Sequence, residues 1–376
     1  MSVTRAEADA LAIIAELVSA DQSVAWLEDA LCSRMGQALV ADEYSPDQLF
    51  EVLVENITQS GVEDLAEQFG RSRLLMAAAR IAPHPGVETL VEAVERLRRS
   101  AVGFPEDSIV PEPTSGALWS RDVYSLRFAI VAPFFASVGA SDRWYLWDID
   151  LCSGSPFTVG GGYFPTAEEA FAEWRAAVGP EAAGRSQLEP VTDADLAASF
   201  FPRASDNYYA RESASQYAEY FRSRRLGQEL SASSQLGVRV HTRTHAELQA
   251  ECAAVADAWA AEFAAWRAQK RDCHDADATD YRELSQVWIS LKYPELSYNC
   301  SPHGMAMTAV SVRLLFDADY ALALCRLFPD LAAWLSERAL LPSVSADRLQ
   351  GCAARIACAD TDVDDLYLDP MARIRE

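Results

Sequence analysis

Lysine is nearly missing from this chain, at two of 376 residues against thirty arginines. Also missing are a Cys-x-x-Cys pair among the eight cysteines, a Gly-Lys dipeptide, a Gly-x-Ser-x-Gly turn and any apolar run near the ~18 residues that cross a bilayer. Each absence removes a class. Without Gly-Lys there is no Walker phosphate loop, and Gly160-Gly161-Gly162 does not have the dinucleotide-binding spacing, so those glycines read as a bulge or tight turn. Without the serine elbow there is no hydrolase nucleophile of that kind. Glu7 and Asp9 stand where a secretion signal carries basic residues, which places the chain in the cytoplasm. In that reducing compartment, cysteines scattered at 32, 152, 252, 273, 300, 325, 352 and 358 read as free, mostly buried thiols.

Positive charge is scarce as well. The formal net charge is −24, and the deficit is nine, eight and seven charges over 1–100, 101–235 and 236–376. Acidity spread so evenly describes a self-repelling surface and not an acidic tail, and it leaves no basic face for nonspecific nucleic-acid binding.

What is present is a mainly helical chain with one block of strand grammar. Residues 1–102 read as a helical bundle, with start signals at Thr4-x-x-Glu7 and at Ser45-Pro46-Asp47-Gln48. The Gly/Pro-rich stretch 103–120 reads as a linker. Residues 121–235 read as an α+β unit: Leu126–Phe135, Arg143–Cys152 and Pro156–Phe164 are aromatic, β-branched runs, and the capping box Thr166-x-x-Glu169 opens a helix through Phe171 and Trp174. On those strands Asp148 and Asp150 read as solvent-facing alternates. Residues 236–376 read as a helical unit, led by one long helix after Thr244-x-x-Glu247 with Cys252, Val255, Trp259, Phe263 and Trp266 in its stripe. The expected fold is α+β, mainly helical, with a small central antiparallel sheet of three or more strands covered by a helix.

Several constellations could carry chemistry. Four of the five histidines, His241, His245, His274 and His303, fall within residues 241–303 together with Cys273 and Cys300. Cys300-x-x-His303 has metal-ligand spacing and Cys273-His274 could complete a tetrahedral zinc site. Alternatively, Cys300 is a nucleophile with His303, His274 or His245 as its base. Gly70 occupies the turn position of a helix-turn-helix over Leu65–Arg80, where Arg71, Arg73 and Arg80 would face DNA. Against this, Leu74 and Leu75 stand where base-reading residues belong. Asp360-x-Asp362-x-Asp364 imitates a calcium loop, but Asp365 and Met371 fill the positions that need Gly and Glu.

With no cofactor motif, the expected function is that of a cytoplasmic, acidic interaction or regulatory protein. It would bind a macromolecular partner, a protein and a basic one in preference to nucleic acid or membrane. An enzyme built on the His/Cys cluster is the competing reading, and a DNA-binding regulator is the third.

Overall fold

The computed structural model describes residues 4–18, 24–40, 45–59, 65–81, 92, 116–134, 143–152, 156–193, 196–197, 200–201, 213–232, 245–270, 278–290, 292 and 294–358. Four helices come first: α1 (Arg5–Val18), α2 (Val24–Leu39), α3 (Pro46–Gln59) and α4 (Leu65–Ile81). The Ser45 capping box forms as its sequence predicts: the Gln48 N–H donates to the Ser45 hydroxyl at 3.3 Å and the Ser45 N–H donates to the Gln48 side chain at 2.9 Å. Leu27, Leu31, Met35, Leu49, Leu53, Leu74 and Leu75 close a common core between these helices.

Gly70 is not a turn residue. It lies inside α4, which runs unbroken from Leu65 to Ile81, so the helix-turn-helix reading has no turn to rest on. Glycine is needed there because α4 crosses α1 closely: a Cβ at Gly70 would lie 2.2 Å from the Val18 carbonyl oxygen. The basic residues are committed as well. Arg71 bonds to Glu67 and to the Asn56 carbonyl, and Arg80 donates to Glu28 at 2.8 Å. Leu74 and Leu75 are fully buried.

The sheet is antiparallel and five-stranded among the described residues, in the order β4-β3-β2-β1-β5. Its strands are β1 (Leu118–Arg121), β2 (Arg127–Phe134), β3 (Arg143–Asp150), β4 (Phe157–Phe164) and the two-residue β5 (Glu189–Pro190). Strand β1 begins inside the stretch that the Gly/Pro content marks as linker. The glycine run lies in β4, where the register against β3 slips between Asp148 and Ile149, as a bulge requires. A Cβ at Gly161 would come within 2.9 Å of the Leu146 carbonyl and the Tyr145 hydroxyl, so the strand passes there only without a side chain.

Both faces of the sheet are covered, which overturns the solvent-facing placement of Asp148 and Asp150. On one face α5 (Ala167–Val178), capped by the Thr166 hydroxyl, buries Ala170 and Trp174 against Ala129, Val131 and Leu146. On the other, Phe128, Tyr145, Trp147 and Ile149 pack against Phe200, Phe201, Leu226 and Leu230. Asp148 and Asp150 are 4% and 7% exposed.

Past the short α6 (Pro180–Ala183), helix α7 (Ala214–Ala232) joins two cores. Its Tyr217, Ala218 and Phe221 enter the N-terminal bundle and its Leu226 and Leu230 enter the sheet core. The Ser223 carbonyl accepts the Trp147 indole N–H at 2.8 Å, and Glu219 accepts the Tyr145 hydroxyl at 2.7 Å.

The C-terminal helices are α8 (His245–Lys270), α9 (Ala278–Ser290), α10 (Pro302–Leu315), α11 (Ala318–Cys325), α12 (Phe328–Arg338) and α13 (Ser343–Ile356), with a 3-10 turn at Pro294–Leu296. They enclose an aromatic core of Trp259, Phe263, Trp288 and Trp334. No helix among the described residues is long and apolar enough to cross a membrane.

Candidate functional site

The start of α10 is where polar side chains converge. Ser301 is its N-cap, accepting the Gly304 N–H at 3.0 Å, and Pro302 supplies the first helical φ angle without needing a partner for an N–H. The Cys152 thiol, at the end of β3, lies 3.1 Å from the Ser301 hydroxyl. The Cys152 N–H in turn donates to Asp150 at 2.6 Å. From the other side Cys352 donates to the Pro302 carbonyl at 3.4 Å.

Lys292, one of the two lysines, enters the same knot. Its ammonium sits 4.6 Å from the centre of the Trp288 ring and has no hydrogen-bond partner among the described residues. The missing side chain of Gly304 makes room for it, since a Cβ there would lie 3.1 Å from Lys292 Nζ.

Two of the residues singled out in the sequence, Cys300 and His303, therefore flank one N-cap, Ser301, and Asp150, Cys152 and Lys292 join them from outside that motif. Their chemistry is not that of an activated nucleophile. Burial raises the Cys300 thiol far above its usual range, with Lys292 opposing only part of the effect. Burial likewise raises Cys152, and Asp150 adds to it. Burial lowers His303, against the pull of Asp150 and with Lys292 and Arg127 pushing the same way as burial. Two protonated thiols and a neutral imidazole do not make a thiolate–imidazolium pair. Among the described residues no three His, Cys, Asp or Glu side chains gather as metal ligands. Cys273 and His274, the other half of the zinc reading, and His241 lie outside the described residues, as do the 360–365 acidic run and the segment after it; of His245 only the backbone, opening α8, is described.

One layer away, toward β1, is a buried charge cluster. Arg127 grips Asp148 through two parallel bonds, Nε to Oδ1 at 2.8 Å and Nη2 to Oδ2 at 2.6 Å. This is the fork geometry that makes an arginine–carboxylate pair tolerable inside a protein. Asp122, at the β1–β2 turn, accepts the N–H groups of Leu126 at 2.9 Å and Arg127 at 3.1 Å, both on Oδ1. Burial pushes its carboxyl up to about 7; the two backbone bonds oppose this, Asp150 adds to it and Arg127 lowers it.

Asp122 is also on the wall of an open cleft of about 630 Å³. Strand β5 pairs with Leu118 and Trp119, and among the described residues no strand lies beside Ser120 and Arg121 on that side. The cleft opens there, bounded by β1, by the segment from Ala183 to Asp193 and by Glu295, Leu296 and Asn299. Its ionisable lining consists of four carboxylates, Asp122, Glu189, Asp193 and Glu295, and two guanidiniums, Arg121 and Arg185. Trp119, Val123 and Leu196 supply apolar surface. The volume is in the range of clefts that hold a small molecule or a few residues of a peptide. None of the ionisable cleft residues is a sequence candidate: they come from three separate stretches with no motif in any of them.

Comparisons of the chain with protein-family models, with curated proteins and with solved structures find no match.

Proposed function

We propose that this is an interaction protein of the cytoplasm that binds a basic protein partner, and that the cleft beside β1 is where it does so. The observation carrying this reading is the cleft's lining, in which four carboxylates face two guanidiniums over about 630 Å³ beside a strand that β5 covers only in part. A cationic, extended segment meets complementary charge there as well as apolar surface from Trp119 and Leu196. The net charge of −24 supports it by steering cations toward the molecule. The seven described cysteines are all free, in keeping with a reducing compartment.

The enzyme reading has less support, because burial holds the Cys152 and Cys300 thiols of the polar knot at α10 protonated. The test is an array of immobilised tetrapeptides probed with the full chain and with a Glu189→Lys/Glu295→Lys variant, which reverses two rim charges. Peptides containing Lys or Arg should be retained by the native protein and released by the variant. An array that retains nothing at low salt, or retains the same peptides with both proteins, would end the reading.

A further inference from the structure

Within the cleft one carboxylate differs from the rest. Glu189, Asp193 and Glu295 are exposed on the rim, whereas Asp122 is 7% exposed and recessed in the wall. Rim carboxylates attract cations without fixing them, because water and salt screen them. A carboxylate that is withdrawn from water and still lines an open cleft can hold a single cationic group in a defined place, since the surrounding low dielectric strengthens the pair.

The use the fold makes of Asp122 leaves that capacity intact. Two backbone N–H groups, from Leu126 and Arg127, end on Oδ1, and no hydrogen bond among the described residues ends on Oδ2. The turn thus anchors the carboxylate by one oxygen and fixes its direction. Arg127, the nearest guanidinium from the sheet, is already spent on Asp148 in a bidentate pair. Arg121 and Arg185 line the same cleft, but among the described residues the arginine that acts on the Asp122 carboxyl is Arg127.

Resting on the cleft reading above, we propose that Asp122 is the specificity residue of this cleft, and that its free oxygen takes the ammonium or guanidinium of one basic side chain of the partner. Asn299, another lining residue, donates its side-chain N–H to the Ser125 carbonyl at 3.2 Å and so ties the 294–299 segment to the same turn. The rim carboxylates then provide the long-range attraction and Asp122 the discrimination between a charged and an uncharged side chain.

The experiment compares three probes by calorimetric titration at pH 8: acetyl-Gly-Lys-Gly-amide, the same peptide with norleucine in place of lysine, and free cadaverine. With the native protein the lysine peptide should bind at least tenfold more tightly than the norleucine peptide. Asp122→Asn keeps an oxygen to accept the two backbone bonds, and in it that ratio should fall to near one. On the native protein the same ratio should also fall as pH drops from 8 to 5.5, where Asp122 takes up its proton, so a variant that fails to fold does not spoil the test. A preference for the lysine peptide that persists unchanged in Asp122→Asn overturns the role of Asp122 and leaves the cleft reading standing, whereas equal binding of the two peptides to the native protein overturns both. Absence of binding by all three probes overturns the cleft reading itself. Cadaverine binding as tightly as the lysine peptide, and losing affinity in Asp122→Asn, supports the role of Asp122 while overturning the choice of a protein as partner.

Discussion

The knot at the start of α10 and the cleft beyond Asp122 use similar residue types on two sides of one wall, with Asn299 facing the cleft and Cys300 and Ser301 facing the knot. The knot holds the more nucleophilic kinds of group: three thiols, an imidazole, an amine and a carboxylate. Yet burial holds Cys152, Cys300 and the imidazole in their uncharged forms, and the Cys152–Ser301 contact ties the end of β3 to α10. The cleft holds carboxylates and guanidiniums in place of thiols and imidazole but is open, and among the described residues no hydrogen bond ends on Oδ2 of its one recessed acid. A density of titratable side chains therefore marks a structural joint in one place and a binding wall in the next, and access decides between them.

The comparison breaks hardest at the pair that underlies both regions. Replacing Arg127 by Met leaves Asp148 buried and uncompensated, which should cost about 3 to 5 kcal/mol of stability in urea denaturation. Replacing both partners together, Arg127→Met with Asp148→Leu, should recover most of that loss. If the single and double variants are equally destabilised, the cost lies in lost packing and not in an orphaned charge.

The next effect is a pH dependence. Asp122 has its carboxyl raised from 3.8 to about 7, so the folded chain holds this proton over a range in which the unfolded chain has lost it. Its contribution is fully present below about 4, falls as pH rises toward 7 and is flat above, a loss of about 4 kcal/mol at most by linkage. The difference in unfolding free energy between native protein and Asp122→Asn, measured from pH 4 to 8, should follow that curve. A difference independent of pH would show that Asp122 ionises as freely as in water.

Thiol labelling separates the closed region from the surface. Cys358 is exposed and should react with iodoacetamide as an ordinary thiol, whereas Cys152 and Cys300 should react at least about a hundredfold more slowly, limited by opening of the structure. Peptide mapping of the labelled protein reads this directly, and fast modification of Cys300 would restore it as a nucleophile. The smallest effect belongs to the cleft rim. Glu189 is exposed, so Glu189→Gln should change stability by less than about 0.5 kcal/mol while weakening the binding of Lys- or Arg-containing peptides.

Much of the fold was legible because it is written locally. The caps at Thr4, Ser45 and Thr166 each accept the N–H three residues on, as their spacing predicts. The three long strands and the bulge at the glycines also follow from neighbouring residues. Gly70 was misleading because glycine's turn preference and its lack of bulk point to different outcomes, and here close helix crossing prevailed. Asp148 and Asp150 were misplaced because alternation assumes one wet face, and a sheet covered on both sides hides its polar alternates if an arginine such as Arg127 is there to receive them. Cys300 and His303 could be named from sequence, but Cys152 lies 149 positions from the Ser301 it touches, and no short-range pattern encodes that contact.

The sequence by itself determined the helices and strands, their caps, the sign and spread of charge and the absence of the common cofactor loops, since each depends on residues within a turn or two of one another. Tertiary structure alone decided which acids are buried, which thiols are silenced and where the wall opens. Those properties depend on desolvation and on the distance between groups far apart in the chain, and both come into being only when the β1–β2 turn, the 294–299 segment and α10 are packed together.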